Sequence, residues 1–571
     1  MAHQQWRNQL DYIITLLGYS VGSGTFIKFP FYCMRNGGGA FLIPFVLFTL
    51  IGAIPCVFLE MAIGQYSQSG PIKVWDICPP FKGIGVGCVL CSWMFYTYYN
   101  VLFSWITYYF YYSFSTILPW EHCGNAWNTP DCISVDRNST LFNITDSVPD
   151  IGNLTSNSTP GITAAEEFWR FQALEISDGL HSLGGIRWPL AGCLLVTNII
   201  LFLWIFQGIK VSGKLVYVTV AVPYILVGVF LIRGSLLPGS ADGMYYFIYP
   251  RFEKLKDPKV WVEACSYALY SMGVASGCII TMSGHNRINN NCFKDAIVVC
   301  LTDVATTVYV GLAFFSIIGH VAYLRGVSVV AFESSGFNLA FIVYPEILAS
   351  LPLPQLWSVL TFITLMTLAI DTMVPGIEII VAAVEDHMPN VTKRQSWAVK
   401  SVVILSISLF GLIYISQGGI YVLTLVDWFV IFPSIAVFAI LECLVVGWLY
   451  GTQRLQDDID AMWGKRMPRA MALCLKYVCP LLFLVVFSYS LYAYRPPKYG
   501  DYHFPAWATV IGWMISMVSI IPIPVIFTWK VYRASGDSLA KKLKRALEPR
   551  KSWTRSPQEE TPYNGVLEPM I

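Results

Sequence analysis

Charged residues are scarce in this chain of 571 residues, because Asp, Glu, Lys and Arg together make up only 13% of it. A soluble domain usually contains about 25%. Hydrophobic residues make up 55% and are spread along the whole chain, which is more than one water-exposed globule could bury. The composition therefore excludes an ordinary soluble domain and favours a protein whose solvent is the lipid bilayer.

Several functional signals are also missing. No G-x-x-x-x-G-K-[ST] phosphate loop occurs, so ATP is not the expected energy source. No enzyme motif stands out, and we expect no catalytic residue. The formal net charge is +2, which gives no indication of nucleic acid as a partner. The first apolar run is long and leads into glycine-rich sequence, so we expect no cleavable signal peptide.

Twelve apolar segments are each near the ~20 residues that cross a bilayer as a helix. We therefore expect an all-α membrane protein with one domain over residues 1–532 and a basic tail over 533–571. The segments are 9–30, 40–63, 83–118, 188–206, 213–233, 261–284, 295–322, 354–384, 396–416, 419–450, 471–494 and 505–532.

A long polar stretch, residues 119–187, separates the third and fourth apolar segments. It contains Cys123 and Cys132, which are close enough in the chain to close a small loop, whereas most other cysteines lie in apolar runs. Four glycosylation sequons follow, and together with the cysteine pair they indicate an oxidising, extracellular side. The alternative is a Ser/Thr/Asn-rich loop whose sequons are unused. The acceptor asparagines are Asn138, Asn143, Asn153 and Asn157.

The orientation follows from that loop. If residues 119–187 are extracellular, twelve spans place both chain ends in the cytosol. Basic residues follow the last span, as the positive-inside rule expects. They are either solvated or in contact with anionic lipid. These residues are Arg533, Lys541, Lys542, Lys544, Arg545, Arg550 and Lys551.

Two of the spans are interrupted by glycine. The first, within residues 16–44, contains Gly18, Gly22 and Gly24. The sixth, over 267–284, reads YALYSMGVASGCIITMSG. Glycine weakens a helix, and backbone freed in this way is tolerated in a membrane only where it lines a cavity or is buried in protein. Breaks in spans one and six are what an inverted repeat of two five-span halves predicts, with the binding site between them.

These residues carry a resemblance to a known family. The chain resembles the neurotransmitter:sodium symporters, which transport monoamines, GABA, glycine and neutral amino acids. The resemblance implies the leucine-transporter fold, a 5+5 inverted repeat with broken helices 1 and 6, plus two extra helices. A Cys123–Cys132 disulfide and a glycosylated second external loop are implied by the eukaryotic members. The motifs, in chain order, are GYSVGSGTFIKFPF, NGGGAFLIP, LEMAIGQYSQSGPIKVW, TYYNV, HNRINNNCFKDA, LAIDTMVPGIE and GGIYVLTLVDWF.

The resemblance carries over most completely at the family's second sodium site. There, backbone carbonyls of the first and eighth helices and two side chains hold the ion. Asp371 lies in the apolar run FITLMTLAIDTMV, where an ionisable residue suggests a function. The alternative is an aspartate that is hydrogen-bonded between helices for packing alone. The residues implied for this site are Gly18, Val21, Leu368, Asp371 and Thr372.

The first sodium site departs from the family pattern. The family has asparagine at the positions of Thr25 and Asp303, a small residue at that of Ser20, and a hydroxyl at that of Ser271. Threonine is shorter than asparagine but still offers an oxygen, and aspartate adds a full negative charge. We therefore expect an altered first sodium site made of these four residues.

The chloride site of the family is altered as well. Its usual tyrosine is Phe45 and its usual glutamine is Tyr267, whereas Ser271 and Thr307 keep their hydroxyls. A carboxylate at Asp303 can supply the countercharge that chloride otherwise provides beside sodium. Chloride is therefore a doubtful companion ion, with a weaker dependence than is usual for animal members. Two alternatives stay open: a desolvated Asp303 couples protons, or the first site is lost.

The substrate pocket is indicated by a missing side chain. Amine-transporting members have an aspartate at the position of Gly22, whereas members that transport amino acids have none. A substrate carboxylate could then approach sodium and the free N–H groups around Ser23 and Gly24. Tyr99 matches the family tyrosine that contacts this carboxylate. Side-chain pocket positions, for which ordinary helix packing is the alternative, are Phe95, Tyr270, Gly273, Ser276, Thr372 and Gly376; Phe95 narrows the pocket, and Gly273, Ser276 and Gly376 are expected to open it.

The resemblance also implies gates on both sides. Lys28 stands where the family has arginine, Asp427 is its acidic partner, and Tyr270 would be an aromatic lid. Lysine lacks the bidentate fork of arginine, so this outer gate is expected to close less firmly.

On the cytosolic side, Trp6 and Asp386 match the family pattern. The usual basic partner falls at His3 and the usual tyrosine at His285, which puts this inner network in doubt. A histidine there makes the network pH-sensitive or, as a neutral ring, only hydrogen-bonds.

Together these residues predict a multi-pass plasma-membrane symporter that couples sodium to the uptake of a small zwitterionic solute, above all a neutral amino acid or a glycine-like neurotransmitter. One alternative is a non-transporting sensor or scaffold with the same fold, suggested by the altered first sodium, chloride and inner-gate positions. Another is a symporter for an amine or a betaine-like osmolyte. The lipid bilayer and the solute are the expected partners, and a homo-oligomer is left open.

Overall fold

A computed structural model describes residues 5–134, 162–206, 209–326, 328–329, 336–388, 391–550 and 553. The four predicted glycosylation asparagines, Asn138, Asn143, Asn153 and Asn157, and the inner-gate candidate His3 lie outside the described residues.

The chain is almost entirely helical. In its first half the helices are α1 Gln9–Ser20, α2 Ser23–Arg35, α3 Gly39–Phe48, α4 Ile54–Ser67, α5 Lys82–Tyr112, α6 Ala164–Glu167, α7 Trp188–Phe206, α8 Ile209–Ser235, α9 Ser240–Ile248, α10 Pro258–Met272 and α11 Cys278–Gly284. A π-helical turn over Thr49–Ala53 joins α3 to α4.

The second half continues in the same way. Its helices are α12 Cys292–Arg325, α13 Gly336–Asn338, α14 Tyr344–Ser350, α15 Pro354–Glu385, α16 Lys393–Gly411, α17 Gly419–Leu444, α18 Thr452–Trp463, α19 Arg469–Leu473, α20 Cys479–Tyr492, α21 Ala506–Ile520, α22 Pro522–Arg533 and α23 Leu539–Leu547. Local sequence signals explain several starts: Asp257 caps α10, Asn291 caps α12, and Thr392 forms a capping box with Gln395 at α16.

Ten helices in the described residues are long and apolar enough to cross a membrane, and the bent pair of α1 and α2 makes eleven. The predicted sixth span, 261–284, differs because it consists of two short helices, α10 and α11. Helix length and composition alone therefore do not reach the predicted count of twelve.

Both predicted interruptions are present. Helices α1 and α2 are bent by 43° where the chain passes through Val21 and Gly22. Between α10 and α11 the backbone turns left-handed, with φ of 63° at Gly273, 59° at Ala275 and 84° at Gly277. Glycine adopts such φ values at no steric cost, whereas alanine does not. The sequence therefore places its weakest helix formers where the helices end.

The two ends of the long helices have different coverings. One side, here called the disulfide side, carries the Cys123–Cys132 disulfide. Its strands β1 Cys132–Ile133 and β2 Ile162–Thr163 pair in parallel, and β3 Lys498–Tyr499 pairs antiparallel with β4 Tyr502–His503.

The opposite side, here called the terminal side, carries the start of α1 and the end of α22. Trp553 is buried there between the rings of Tyr66 and Tyr450, with ring centroids 5.1 and 6.1 Å away. Arg550 lies 3.5 Å from the Asp76 carboxylate, so the segment after α23 packs back onto the chain.

Candidate functional site

A cavity of about 70 Å³ lies where the two broken helix pairs meet α5 and α15. Most residues predicted for the substrate pocket and the first sodium site share its wall. Ser23 lines a smaller neighbouring cavity together with Lys28 and Asp427. The predicted residues that line the main cavity are Ser20, Gly22, Gly24, Thr25, Phe95, Tyr99, Tyr270, Ser271, Gly273, Ser276 and Thr372.

The break between α1 and α2 is held against α5 and α15. The Ser23 hydroxyl is 2.7 Å from the Tyr99 hydroxyl. A side chain at position 22 would put its Cβ only 2.4 Å from Thr372 Oγ1, and one at Gly24 would meet the Tyr270 ring at 3.0 Å. A side chain at position 22 is therefore excluded unless Thr372 moves, and one at position 24 would press on the Tyr270 ring, so the space beside the break is polar on one side and aromatic on the other.

The expectation that Gly273, Ser276 and Gly376 open the side-chain end of the cavity is wrong at both glycines. The space beside Gly376 is occupied by Tyr96, whose Cζ would lie 1.8 Å from an added Cβ. The space beside Gly273 is occupied by Tyr19, at 2.4 Å. Tyr19 and Tyr96 line the cavity there, Gly273 lies in the wall beside Tyr19, and Gly376 does not reach the wall. Sequence reasoning missed both tyrosines, since a glycine does not reveal which side chain fills its space.

The predicted second sodium site has its members assembled around Asp371. A Cβ at Gly18 would lie 3.3 Å from Asp371 Cβ, so α1 and α15 are in contact there. The Thr372 hydroxyl donates to the Leu368 carbonyl at 3.1 Å. One Asp371 oxygen accepts from Thr219 Oγ1 at 2.5 Å, and the other has no partner among the described residues. The carbonyls at the end of α1, among them that of Gly18, have no hydrogen-bond partner within the helix. Val21 follows directly after the helix.

This arrangement fits a cation. A buried carboxylate oxygen and helix-end carbonyls are acceptors only, and hard cations take oxygen ligands of this kind. Thr219, on α8, was not found from the sequence, because a threonine in an apolar helix ordinarily bonds its own backbone.

The altered first sodium site is a cluster of hydroxyls around Asp303. Ser271 Oγ donates to Asp303 Oδ2 at 2.8 Å. The remaining Asp303 oxygen and the Thr25 hydroxyl are buried and have no partner among the described residues. Ser20 instead donates to the carbonyl of Leu17 at 3.2 Å, so its hydroxyl stays with its own helix.

The positions of the family's chloride site adjoin the same cluster. The hydroxyls of Tyr267 and Thr307 are buried without a partner among the described residues. The Phe45 ring lies 5.5 Å from the Tyr267 ring, centroid to centroid, so a phenol is kept beside the position where the family tyrosine is lost. The cluster holds both unpaired donors and an unpaired carboxylate oxygen.

The predicted outer gate is closed. Lys28 Nζ lies 2.8 Å from Asp427 Oδ1 and 4.6 Å from the centre of the Tyr270 ring. Tyr98 adds a second donor to the same Asp427 oxygen at 2.7 Å. These four side chains lie between the cavity and the disulfide side, and Tyr98 was missed although it stands in the TYYN motif.

The terminal side is also closed. The Trp6 indole donates to the Met282 carbonyl at 3.0 Å, and the Trp6 amide donates to the His285 carbonyl at 3.0 Å. Asp386 accepts from the Gly70 amide at 2.6 Å. The structure thus ties Trp6 to the end of α11 and Asp386 to the segment after α4.

Two glutamates near the second break were also missed. Glu60, on α4, accepts from the Ala275 amide at 2.6 Å and so holds the left-handed turn between α10 and α11. Glu442, on α17, is buried as well, and both carboxylates keep an oxygen without a partner among the described residues. An isolated acidic residue in an apolar span drew attention to Asp371, and the same signal exists at Glu60.

Comparison with known proteins agrees with this geometry. The chain is 36% identical over 570 residues to the sodium- and chloride-dependent glycine transporter 2 of Xenopus laevis, covering 97% of this chain and 72% of that protein. It is 36% identical over 565 residues to the Xenopus glycine transporter 1, covering 97% and 88%. It is 37% identical over 573 residues to the human sodium- and chloride-dependent neutral and basic amino acid transporter B(0+), covering 96% and 88%.

All three names include chloride, so the comparisons do not support the expectation that chloride is a doubtful companion ion. The sequence model that matches the chain is that of the sodium:neurotransmitter symporter family, over residues 3–534. This is a family of secondary transporters and not of enzymes. Matched over nearly its whole length and folded around two broken helix pairs, the chain belongs to the sodium:neurotransmitter symporter family.

Proposed function

We propose that this protein imports a small neutral amino acid together with sodium, by alternating access across the plasma membrane. The observation that carries the proposal is the polar end of the cavity. At Gly22 there is no side chain and no room for one, while Ser23 and Tyr99 place two hydroxyls 2.7 Å apart beside the start of α2. A carboxylate bound there would meet N–H groups, hydroxyls and the positive end of a helix.

An amine substrate fits this end of the cavity less well. Amine transporters of the family carry an aspartate where this chain has Gly22, and a Cβ at that position would contact Thr372 Oγ1 at 2.4 Å. Gly22 supplies no carboxylate at the polar end of the cavity that could pair with an amine. A substrate that brings its own carboxylate therefore matches the site better.

The proposed membrane arrangement has twelve spans. The ten long helices and the bent pair α1–α2 supply eleven, and α10 with α11 supplies the twelfth as a broken span. Two five-span halves with breaks in the first and sixth spans would form the inverted repeat. Residues 1–532 would then be one transporter domain, with a glycosylated outer loop over 119–187, a basic cytosolic tail over 533–571 and both chain ends inside.

For the ions, we infer that sodium binds between Gly18, Val21 and Leu368 and the side chains of Asp371 and Thr372. A second sodium would bind at Asp303, with Thr25, Ser271 and Ser20 as neighbours. The orphaned oxygens of both aspartates support these assignments.

Chloride is proposed to matter less here than in the relatives. The Asp303 carboxylate supplies a fixed negative charge inside the hydroxyl cluster, which repels an anion and neutralises a cation. Replacing chloride by gluconate tests this: uptake that persists supports the proposal, and complete loss of uptake contradicts it.

The gates complete the cycle. Sodium at Asp371 would favour the state open to the outside, and substrate would then close the lid formed by Tyr270, Lys28 and Asp427. Rocking of the broken helices and their neighbours would break the Trp6 and Asp386 contacts on the terminal side. Coupling requires that each ligand binds the two states with different affinity.

The test is uptake of labelled glycine, alanine and larger amino acids into cells that express this chain, with sodium or with choline replacing it. Sodium-dependent uptake of at least one amino acid is expected. Sodium-dependent binding to the purified protein without uptake would instead identify a sensor. Uptake of amines with no uptake of amino acids would overturn the substrate assignment.

A further inference from the structure

Tyr96 occupies the place where the family pattern suggests space for a substrate side chain. It lies on α5, is 2% exposed, and faces Gly376 on α15. An added Cβ at Gly376 would lie 1.8 Å from Tyr96 Cζ and 2.2 Å from its hydroxyl. The ring therefore lies against the bare backbone of α15, and only glycine at position 376 allows this.

The Tyr96 ring is fixed on its other sides by aromatic neighbours. Its centroid is 5.0 Å from that of Phe95 and 6.3 Å from that of Tyr99, both edge to face. Tyr99 is in turn hydrogen-bonded to Ser23 at the polar end of the cavity. The ring thus has little freedom to move aside when a ligand enters.

Tyr19 occupies the space beside the other glycine of this pocket, Gly273. It fits over Gly273, and its hydroxyl lies 3.2 Å from Ser276 Oγ. The Ser276 hydroxyl also donates to the Gly273 carbonyl at 2.6 Å. Tyr19 is therefore tied to the turn between α10 and α11, next to the space that Tyr96 occupies.

We propose that Tyr96, seated on Gly376 and backed by Tyr19, sets the size limit for the substrate and restricts it to amino acids with a hydrogen atom or a methyl group as side chain. This inference rests on the proposed amino acid transport and names the substrate class within it. Tyr96 is the specificity-determining residue, and Tyr19 is a positioning residue.

The cavity volume supports the limit. The cavity measures about 70 Å³, which is about half of an engineered ~150 Å³ protein cavity that holds benzene. Leucine or phenylalanine would need the space that Tyr96 occupies.

The first experiment compares Tyr96→Ala with the matched variant Tyr96→Phe, which keeps the ring and loses only the hydroxyl. The ratio of leucine uptake to glycine uptake is measured for both and for the unaltered chain, in sodium. The ratio should rise at least tenfold in Tyr96→Ala and stay low in Tyr96→Phe. An unaltered chain that takes up leucine as well as glycine would overturn the proposal, as would an unchanged ratio in Tyr96→Ala.

A binding measurement keeps this inference separate from the proposed transport. The melting temperature of each purified protein is recorded in sodium with glycine, alanine or leucine. If uptake is absent but glycine stabilises the unaltered chain and leucine stabilises only Tyr96→Ala, transport fails and the size limit holds. If leucine and glycine stabilise all proteins alike, the size limit fails whatever is transported.

A paired substitution guards against misfolding of single variants. Gly376→Ala should lower the melting temperature and abolish glycine binding, since its methyl group would overlap the Tyr96 ring. Adding Tyr96→Ala removes that ring and should restore the melting temperature and the binding. If the double variant is as unstable as Gly376→Ala alone, the contact does not govern the cavity, and the proposal is overturned.

Discussion

Two buried aspartates, Asp371 and Asp303, share one kind of contact and differ in what surrounds it. Thr219 donates a hydroxyl hydrogen bond to Asp371 at 2.5 Å. Ser271 does the same for Asp303 at 2.8 Å. In each carboxylate the second oxygen has no partner among the described residues.

The surroundings decide what each aspartate can bind. Asp371 faces the end of α1, where main-chain carbonyls can accept hydrogen bonds but cannot donate them. Asp303 lies among the hydroxyls of Thr25, Thr307 and Tyr267, which can do both. A group of acceptors is satisfied by a cation or by hydrogen-bond donors but not by an anion, whereas hydroxyls can orient toward a cation, an anion or a carboxylate. The residues around Asp371 therefore allow few substitutions, whereas the residues around Asp303 can be replaced by others that still bind an ion.

The largest effect is expected from Asp371→Asn. This change keeps the size of the side chain and removes the charge that a cation needs. Sodium-dependent uptake should fall to the level measured in choline, a loss of at least about tenfold, or ~1.4 kcal/mol of sodium binding. Cell-surface labelling controls for expression. Uptake that remains sodium-dependent at normal sodium concentrations would show that Asp371 is a packing residue.

Asp303→Asn should have a smaller and different effect. Asparagine is the residue that the family has at this position, so uptake in chloride should survive. Asparagine carries no charge, so the internal countercharge is lost. Uptake in gluconate should then be about tenfold lower than uptake in chloride, which corresponds to ~1.4 kcal/mol. The unaltered chain, assayed in both salts, is the control. Equal chloride dependence in both proteins would contradict the role proposed for Asp303.

The sequence was informative where a residue breaks a local rule. Glycines inside apolar spans predicted both helix breaks, and the charge of Asp371 within FITLMTLAIDTMV indicated a functional residue, which the family resemblance placed beside the first break. The pairing of Lys28 with Asp427 was implied by the family resemblance, and two opposite charges within a membrane are expected to pair. In each case the feature is costly in a membrane unless a partner is present, so the residue alone signals a contact.

The sequence was silent where a residue obeys local rules and acts through packing. Tyr96 and Thr219 are ordinary residues for an apolar helix, and their roles follow from the helix that lies opposite. Tyr96 lies opposite Gly376, and Thr219 lies opposite Asp371. The partners are far apart in the chain, so no local sequence pattern connects them. The size of the cavity could therefore not be predicted, although its position could.

Thr219→Val sharpens the comparison at the Asp371 site. Valine keeps the shape of the side chain and removes the donor, so the carboxylate loses the bond that orients it. The sodium concentration for half-maximal uptake should rise at least about threefold, since a typical net hydrogen bond contributes about 0.5–1.5 kcal/mol. Thr219→Ser, which keeps the hydroxyl, is the matched control and should resemble the unaltered chain. A shift in chloride dependence instead of sodium dependence would mean that the two sites are not separate.

The smallest effect is expected from Lys28→Arg. This variant tests whether the outer gate influences either of the two ion sites. Lys28 contacts Asp427 and the Tyr270 ring and lies outside both aspartate sites. Arginine keeps the charge and can bind the carboxylate with two donors, so the gate should close slightly more firmly. The expected result is a change of less than about threefold in the substrate concentration for half-maximal uptake, which corresponds to under ~1 kcal/mol. The sodium and chloride dependences should stay as they are. If Lys28→Arg changed the sodium or the chloride dependence, the outer gate and that ion site would be coupled. The difference between Asp371 and Asp303 would then hold only for the state in which the outer gate is closed.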